Sequence, residues 1–80
     1  MYYVYIIKSI QFSEINYVGF TKNLKKRLSC HDSGGSIHTA KYKPWKLIAY
    51  FAFADERKAI AFEKYLKSQS GRAFANKRFL

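Results

Sequence analysis

Glu63 places a carboxylate in a segment that is otherwise basic and apolar. It is the single acidic residue between Arg57 and Leu80, and most of its helical neighbours three and four residues away are apolar: Ala59, Ile60 and Leu66. A carboxylate beside an apolar stripe is costly unless a cation pairs with it. One interpretation is a surface ion pair with Lys67, worth about 0.3–0.5 kcal/mol. The other is a ligand for a hard divalent ion such as Mg²⁺, which takes its remaining oxygens from water and substrate phosphate. Spacing alone favours the ion pair.

A second group of polar side chains lies in a basic segment with helical period. Arg27 and His31 are four residues apart, so a helix places them on one face. By itself, Arg27 fits a solvated cation. His31 fits either a general base, because an imidazole titrates near neutral pH, or a cation at a helix C-terminus. Cys30 adjoins His31, but adjacent helical residues point in different directions, which favours a small buried thiol over a nucleophile-base pair.

The N-terminal part of the chain predicts the β-hairpin that would support these groups. Residues 2–7 and 15–21 are rich in β-branched and aromatic residues. With an odd-numbered loop, alternation gives a core face formed by Val4, Ile6, Val18 and Phe20. The opposite face then carries Tyr3, Tyr5, Tyr17 and Gly19. At Gly19 a ligand would have room to approach the backbone, although Tyr5 and Tyr17 also fit simple strand-packing aromatics.

The next segment predicts a helix followed by a loop. Residues 24–31 have the helical period, residues 21–23 offer N-caps, and the Ser-Gly-Gly-Ser run at 33–36 ends the helix. Residues 38–45 then mix cations with aromatic rings. Lys41 and Lys43 could contact phosphates while Tyr42 stacks on a base. Alternatively this is an ordinary loop in which Trp45 anchors the next strand.

The C-terminal half predicts one strand and two helices. Residues 47–53 are apolar on both alternating faces, which is typical of a central strand covered on each side. Asp55 is a favoured N-cap for a helix running to about Gln69 and ending at Gly71. Residues 72–79 are expected to form a last short helix. The order strand, strand, helix, strand, helix, helix predicts one α+β domain over residues 1–80.

The charge predicts a polyanionic partner. Fifteen Lys and Arg against five acids give a net charge of +10, spread along the chain. Such a field favours nucleic acid first and an anionic membrane surface second, over a role in solubility alone. Charge does not distinguish DNA from RNA. The candidate nucleic-acid-binding residues are Lys22, Lys26, Lys41, Lys43, Arg72 and Lys77.

Cysteine content and hydropathy predict the compartment. Cys30 is the single cysteine, so an internal disulfide and a multi-cysteine zinc site are excluded. A reducing, cytoplasmic setting is expected. There is no apolar stretch near 18 residues and no secretion signal, so we expect neither a membrane span nor an export address.

Two short motifs connect these observations to a known family. Tyr3-Val4-Tyr5 and Tyr17-Val18-Gly19 resemble the paired strand motifs that name the GIY-YIG nucleases, with Tyr3 in place of the first Gly. The resemblance covers nearly the whole chain, because the family's helix Arg, the residue one turn later, the metal-binding Glu and the late Asn match Arg27, His31, Glu63 and Asn76. Residues 68–76 resemble the end of the small stand-alone, UPF0213-type bacterial branch. The resemblance implies a three-stranded antiparallel sheet flanked by helices, in the order β-β-α-β-α-α.

The resemblance also implies an endonuclease that hydrolyses DNA phosphodiester bonds with one Mg²⁺ or Mn²⁺ on Glu63. Such hydrolysis needs an activated water, neutralised phosphate charge and a stabilised leaving oxygen. Arg27 would donate two hydrogen bonds to the non-bridging oxygens, and the metal would stabilise the leaving oxygen. Tyr17, supported by Tyr5, would position or deprotonate the water. A tyrosine in water titrates near pH 10, so a tyrosine base needs nearby positive charge, and His31 could share or take that role. Asn76 completes the implied catalytic set.

Two other functions stay open. The chain could be a nucleic-acid-binding module of the same fold with little or no activity, since family nucleases commonly carry separate DNA-binding domains. It could also be an interaction protein whose surface aromatics join a protein partner that supplies specificity. Tight binding without metal-dependent turnover would indicate the module, and the absence of binding at low salt would indicate the interaction protein.

Overall fold

The sheet has three antiparallel strands in the order β2-β1-β3. The computed structural model describes residues 1–35 and 38–80. The strands are β1 (Tyr2–Ser9), β2 (Asn16–Thr21) and β3 (Trp45–Phe53). The helices are α1 (Leu24–Ser33), α2 (Glu56–Lys67) and α3 (Gln69–Arg78), with a short 3₁₀ helix at Ala40–Tyr42. The predicted α+β class and element order are confirmed.

The hairpin register confirms the predicted separation of the two sheet faces. Val4 pairs with Phe20 and Ile6 with Val18. The N–H of Ser9 bonds the carbonyl of Ile15, so residues 10–14 form the connecting loop. Even-numbered positions therefore face one side of the hairpin and odd-numbered positions the other.

Each face of the sheet packs against its own hydrophobic cluster. On the face covered by α2 and α3 the buried residues are Val4, Ile6, Val18, Ala59, Leu66 and Ala75. On the opposite face Tyr5, Ile7 and Trp45 are buried, and Leu24 and Leu28 of α1 pack against them. Burial on both faces explains why residues 4–7 have no exposed surface.

The prediction of a central strand at residues 47–53 was wrong. β1 is central, β3 pairs with β1 alone, and Tyr50 of β3 is 53% exposed. The register between β1 and β3 also shifts between Ile6 and Ile7, which pair with Ala49 and Leu47. Apolar residues on alternating positions predict burial on both faces, but they do not specify which strand occupies the middle of the sheet.

Two caps fix α1, the helix that carries Arg27 and His31. The Asn23 side chain accepts a hydrogen bond from the Lys26 N–H, as expected of an N-cap. Gly34 adopts a left-handed conformation with φ of 80° and ends the helix, as predicted. Ser36, also part of the predicted helix end, lies outside the described residues.

The predicted end of the second helix was wrong. α2 ends at Lys67, and the extended backbone of Ser68 separates it from α3. The Ser68 hydroxyl oxygen accepts a hydrogen bond from the N–H of Gly71, which lies inside α3. A Cβ at Gly71 would clash with the Tyr65 carbonyl. Gly71 therefore permits a tight corner between two helices and does not end a single one. Among the helices of the described ranges, none is long and apolar enough to span a bilayer.

Candidate active site

A buried hydrogen-bond chain connects the sheet to α1. The Tyr5 hydroxyl lies 2.7 Å from Nε2 of His31, and Nδ1 of the same ring lies 2.7 Å from the Thr39 hydroxyl. All three side chains are almost completely buried. One proton arrangement has the Tyr5 O–H donating to Nε2 while the Nδ1–H donates to Thr39. In either tautomer of His31, both ring nitrogens have a hydrogen-bond partner.

Gly19 makes room for this chain. It pairs with Tyr5 across the hairpin, and a Cβ at Gly19 would clash with the hydroxyl and ring of Tyr5. The space that the sequence suggested for a ligand is therefore filled by the protein's own tyrosine. The expected ligand approach to the Gly19 backbone was wrong, because the structure packs Tyr5 inward over the glycine.

Burial determines the protonation of this pair. Desolvation, followed by the nearby Tyr17, raises the pKa of Tyr5 to about 12, although the Arg27 guanidinium acts in the opposite direction. Desolvation and the charge of Arg27 together lower the pKa of His31, opposed by Asp32. At neutral pH, Tyr5 is a phenol and His31 is a neutral imidazole.

Trp45 and Thr39 hold the outer end of this hydrogen-bond chain. The Trp45 indole N–H donates to the Thr39 carbonyl at 3.0 Å, and the Trp45 backbone N–H donates to Asp32 at 2.8 Å. Trp45 is buried at the start of β3, so the alternative in which it anchors the next strand fits the structure. These bonds tie the loop before β3 to the C-terminal turn of α1.

Tyr17 lies next to the buried pair, on the edge strand β2. Its ring centroid is 5.3 Å from that of His31 and 6.4 Å from that of Tyr5. Unlike Tyr5, it is only half-buried. Tyr17 is thus the phenol of this group that also reaches the surface.

Lys67 contacts both Glu63 and Tyr17. Oε2 of Glu63 lies 2.6 Å from Nζ of Lys67, one turn later on α2. The same Nζ lies over the Tyr17 ring, 5.7 Å from its centroid. Lys67 thereby links the carboxylate on one side of the sheet to the aromatic group on the other.

A surface cavity of about 390 Å³ opens beside this link. Its lining includes Tyr17 from β2, Lys67 from α2, and Arg72 and Asn76 from α3. Glu14 and Asn16 also line it, so two cations, one carboxylate, two amides and a phenol face one space of a size suited to a phosphate and part of its nucleotide.

Comparison with known protein families assigns the fold. The GIY-YIG catalytic domain matches residues 1–78 of the chain. The chain belongs to the GIY-YIG nuclease family. The family implies a nucleic acid as substrate, which agrees with a net charge of +10.

Similar proteins include bacterial UPF0213 proteins. A UPF0213 protein of Clostridium perfringens is 40% identical over 68 residues, which cover 84% of this chain and 71% of that protein. The solution NMR structure of the UPF0213 protein BH0048 from Bacillus halodurans has a TM-score of 0.57 and 28% identity, and covers 96% of this chain and 84% of that one. The predicted family and branch are confirmed.

A fungal relative is much longer. The structure-specific endonuclease subunit SLX1 of Podospora anserina is 31% identical over 98% of this chain. The match covers only 27% of that protein.

The GIY-YIG domain gathers most of the predicted catalytic residues around Tyr17. Tyr5 and His31 adjoin it on the α1 face, and Asn76 lines the cavity. Arg27 is exposed on α1 and influences the pKa of both Tyr5 and His31. The catalytic roles of these residues and of Glu63 stay predictions.

The predicted nucleic-acid-binding cations lie in several places. Arg72 lines the cavity, and Lys26, Lys43 and Lys77 are exposed. Lys41 lies over the Tyr42 ring, 5.1 Å from its centroid. Lys22 lines a separate groove with Tyr3 and Tyr50, and is 4.0 Å from Glu56. Their contacts with nucleic acid stay predictions.

Two residues of the site were missed from the sequence. Thr39 lies in a segment without periodicity, so nothing in the sequence indicated its bond to His31. Lys67 was considered only as the surface partner of Glu63, although it also contacts Tyr17 and lines the cavity. Its spacing from Glu63 indicated the first contact but not the others.

The donor groups fit a divalent ion held by one carboxylate. The Glu63 side chain is not fully buried, and carboxylate oxygen is the ligand that Mg²⁺ and Mn²⁺ prefer. Within residues 1–35 and 38–80 no group of three or more His, Cys, Asp or Glu side chains forms a complete cage. Such an ion would therefore complete its coordination with water and substrate phosphate.

Proposed function

We propose that this chain is a metal-dependent endonuclease that hydrolyses phosphodiester bonds of DNA. The observation that carries the proposal is the position of Tyr17. It adjoins the buried Tyr5–His31 pair, contacts Lys67, which is bonded to Glu63, and lines a cavity together with Lys67 and Arg72. The likeness to a structure-specific endonuclease subunit supports an endonuclease activity.

Tyr17 is the phenol best placed to meet the attacking water. Tyr5 is fully buried, and with a pKa raised to about 12 it stays protonated. It serves as a hydrogen-bonding support and not as a base. His31 is neutral but 1% exposed, with both ring nitrogens engaged, so it can exchange a proton with the cavity only through its bonded neighbours. In this proposal Tyr17 orients the water, and the Tyr5–His31 pair holds the surrounding structure.

Arg27 would neutralise the phosphate. It is exposed on α1, on the side of Tyr5 and His31, and is close enough to influence the pKa of both groups. A guanidinium can donate two parallel hydrogen bonds to non-bridging oxygens as negative charge develops there. Asn76 and Arg72 would orient the same phosphodiester from the α3 side of the cavity.

Glu63 would hold one Mg²⁺ or Mn²⁺ by its carboxylate. When bound, this ion supplies charge stabilisation to the leaving oxygen.

The free thiol of Cys30 supports a cytoplasmic setting for the activity.

The test is nicking of supercoiled plasmid DNA with Mg²⁺ or Mn²⁺. Glu63→Gln and Arg27→Ala should each lower the rate by about 100-fold or more, because each removes a charge that acts on the transition state. Glu56→Gln is the matched control, since it changes an exposed carboxylate on the same helix and should cleave normally. Circular dichroism would verify folding. Cleavage by a folded Glu63→Gln or Arg27→Ala protein at the wild-type rate would refute the proposed site.

The alternative is a binding module of the same fold without turnover. The observation that favours it is the existing ion pair, because Lys67 already neutralises Glu63. Fluorescence anisotropy with a labelled duplex would then show binding that is independent of Mg²⁺ and unchanged in Glu63→Gln.

A protein partner that supplies specificity is part of either proposal, and the fungal relative is itself named as a subunit.

A further inference from the structure

Lys67 occupies one oxygen of the carboxylate that the proposed metal would need. Its Nζ is 2.6 Å from Oε2 of Glu63. The Glu63 side chain is 16% exposed, so few other directions are open for a ligand to approach its oxygens. An ammonium and a divalent cation repel each other, and both cannot sit against the same oxygen.

The same lysine has a second possible environment. Its side chain is 47% exposed, and Nζ already lies 5.7 Å from the centroid of the Tyr17 ring. Lys67 also lines the cavity that Arg72 and Asn76 share. A phosphate entering that cavity would meet two cations, Lys67 and Arg72, against the single carboxylate of Glu14. An ammonium binds phosphate through a charge-assisted hydrogen bond.

We propose that Lys67 blocks metal binding at Glu63 until a phosphate of the substrate draws the ammonium into the cavity. This inference rests on the proposed metal-dependent function. Lys67 would thereby couple loading of the metal to arrival of the nucleic acid. The Lys67 side chain of this ion pair is half-exposed, so water screens its ammonium, and exchanging one anionic partner for another requires little energy. The face of Tyr17 provides a favourable site along the path, because aromatic faces attract cations.

The coupling must act in both directions. If phosphate binding releases Glu63 for the metal, then metal bound at Glu63 must release Lys67 for phosphate by the same factor. Replacing the ammonium with an apolar group of similar length removes the competition and the coupling together.

The first experiment measures Mn²⁺ binding without DNA. Two-dimensional NMR would follow paramagnetic broadening of amide signals around Glu63 in wild type, Lys67→Met and Lys64→Met. Lys64→Met is the matched control, because Lys64 is an exposed cation on the same helix. Methionine preserves most of the apolar length of the lysine side chain and removes its charge. We expect Lys67→Met to bind Mn²⁺ about fivefold more tightly than wild type, and Lys64→Met to change little.

Three results separate this inference from the function on which it rests. Tighter binding by Lys67→Met, lost in the double variant with Glu63→Gln, supports the inference. Equal Mn²⁺ binding by wild type and Lys67→Met overturns it but leaves the proposed metal site intact. Absence of broadening near Glu63 in every protein overturns both.

The second experiment adds a duplex with phosphorothioate linkages, which resist hydrolysis. Wild type should bind Mn²⁺ about fivefold more tightly with the duplex than without it, whereas Lys67→Met should respond less. If the duplex raises the Mn²⁺ affinity of both proteins by the same factor, Lys67 is not the coupling residue. Chemical shifts would show that each variant is folded.

Discussion

Tyr5 and Tyr17 share one face of the hairpin but have different environments. Tyr5 is central, covers Gly19 and bonds His31, whereas Tyr17 lies on an edge strand and reaches the cavity. The strand positions produce this difference, because β1 is covered on both faces and has a neighbour on each side. Two identical side chains thereby become a buried support and a surface group.

The buried imidazole predicts a loss of stability in mild acid. The pKa of His31 is lowered in the folded protein, so between that value and about 6.5 the unfolded chain binds more protons. The free energy of unfolding therefore rises with pH in this window. The contribution of the neutral imidazole to that free energy is lost as pH falls below about 6.5. Urea unfolding between pH 7.5 and pH 5 would measure the dependence.

His31→Gln is the control for this prediction. It removes the titrating ring, and the other titratable groups are common to both proteins. Wild type should lose more of its free energy of unfolding than His31→Gln as pH falls. Parallel curves for the two proteins would show that His31 does not titrate differently in the folded and unfolded states.

At the scale of elements, the corner between α2 and α3 controls the cavity. Lys67 is the last residue of α2, and Arg72 and Asn76 lie on α3. Ser68 accepts the Gly71 N–H and donates to the Tyr65 carbonyl, so one residue serves both helices. The angle of this corner determines how closely the cations from the two helices approach.

Gly71→Ala should destabilise the protein by about 1–3 kcal/mol. The new Cβ would clash with the Tyr65 carbonyl, a backbone atom that cannot rotate away. Ser70→Ala is the matched control, because Ser70 is exposed in the same turn and should change stability by less than about 0.5 kcal/mol. Urea denaturation would compare the two variants. If Gly71→Ala is as stable as Ser70→Ala, the corner has room that the structure does not indicate.

The sequence predicted the individual strands and helices better than it predicted which elements lie next to one another. Alternation in the hairpin and the caps of α1 are local features, so both were confirmed. The position of β3 at the sheet edge and the role of Gly71 depend on contacts with distant residues. Glycine ends helices and also permits close helix contacts, and sequence alone did not distinguish these uses at Gly71. Thr39 contributes through tertiary contacts that have no sequence periodicity.

At the scale of the molecule, cations surround a small fold on several sides. Arg72 lies at the cavity, Lys41 in the 3₁₀ helix before β3, and Lys22 in a separate groove. One duplex cannot contact all of them equally while Tyr17 is at the scissile phosphate. We therefore expect the net charge of +10 to attract DNA from every direction. In the bound complex, only a subset of the cations should contact phosphates.

The salt dependence of DNA binding tests which cations form that subset. Each phosphate contact contributes about 0.9 to the slope of log affinity against log salt concentration, because a counterion is released. Arg72→Ala should therefore lower the slope by about one. Lys58→Ala removes an exposed cation of α2 and serves as the control, since it should leave the slope unchanged while lowering affinity slightly through the long-range field. Fluorescence anisotropy from 50 to about 200 mM salt would measure both slopes. Equal slopes for wild type and Arg72→Ala would place the bound DNA away from the cavity, and the proposed position of the scissile phosphate beside Tyr17 would be wrong.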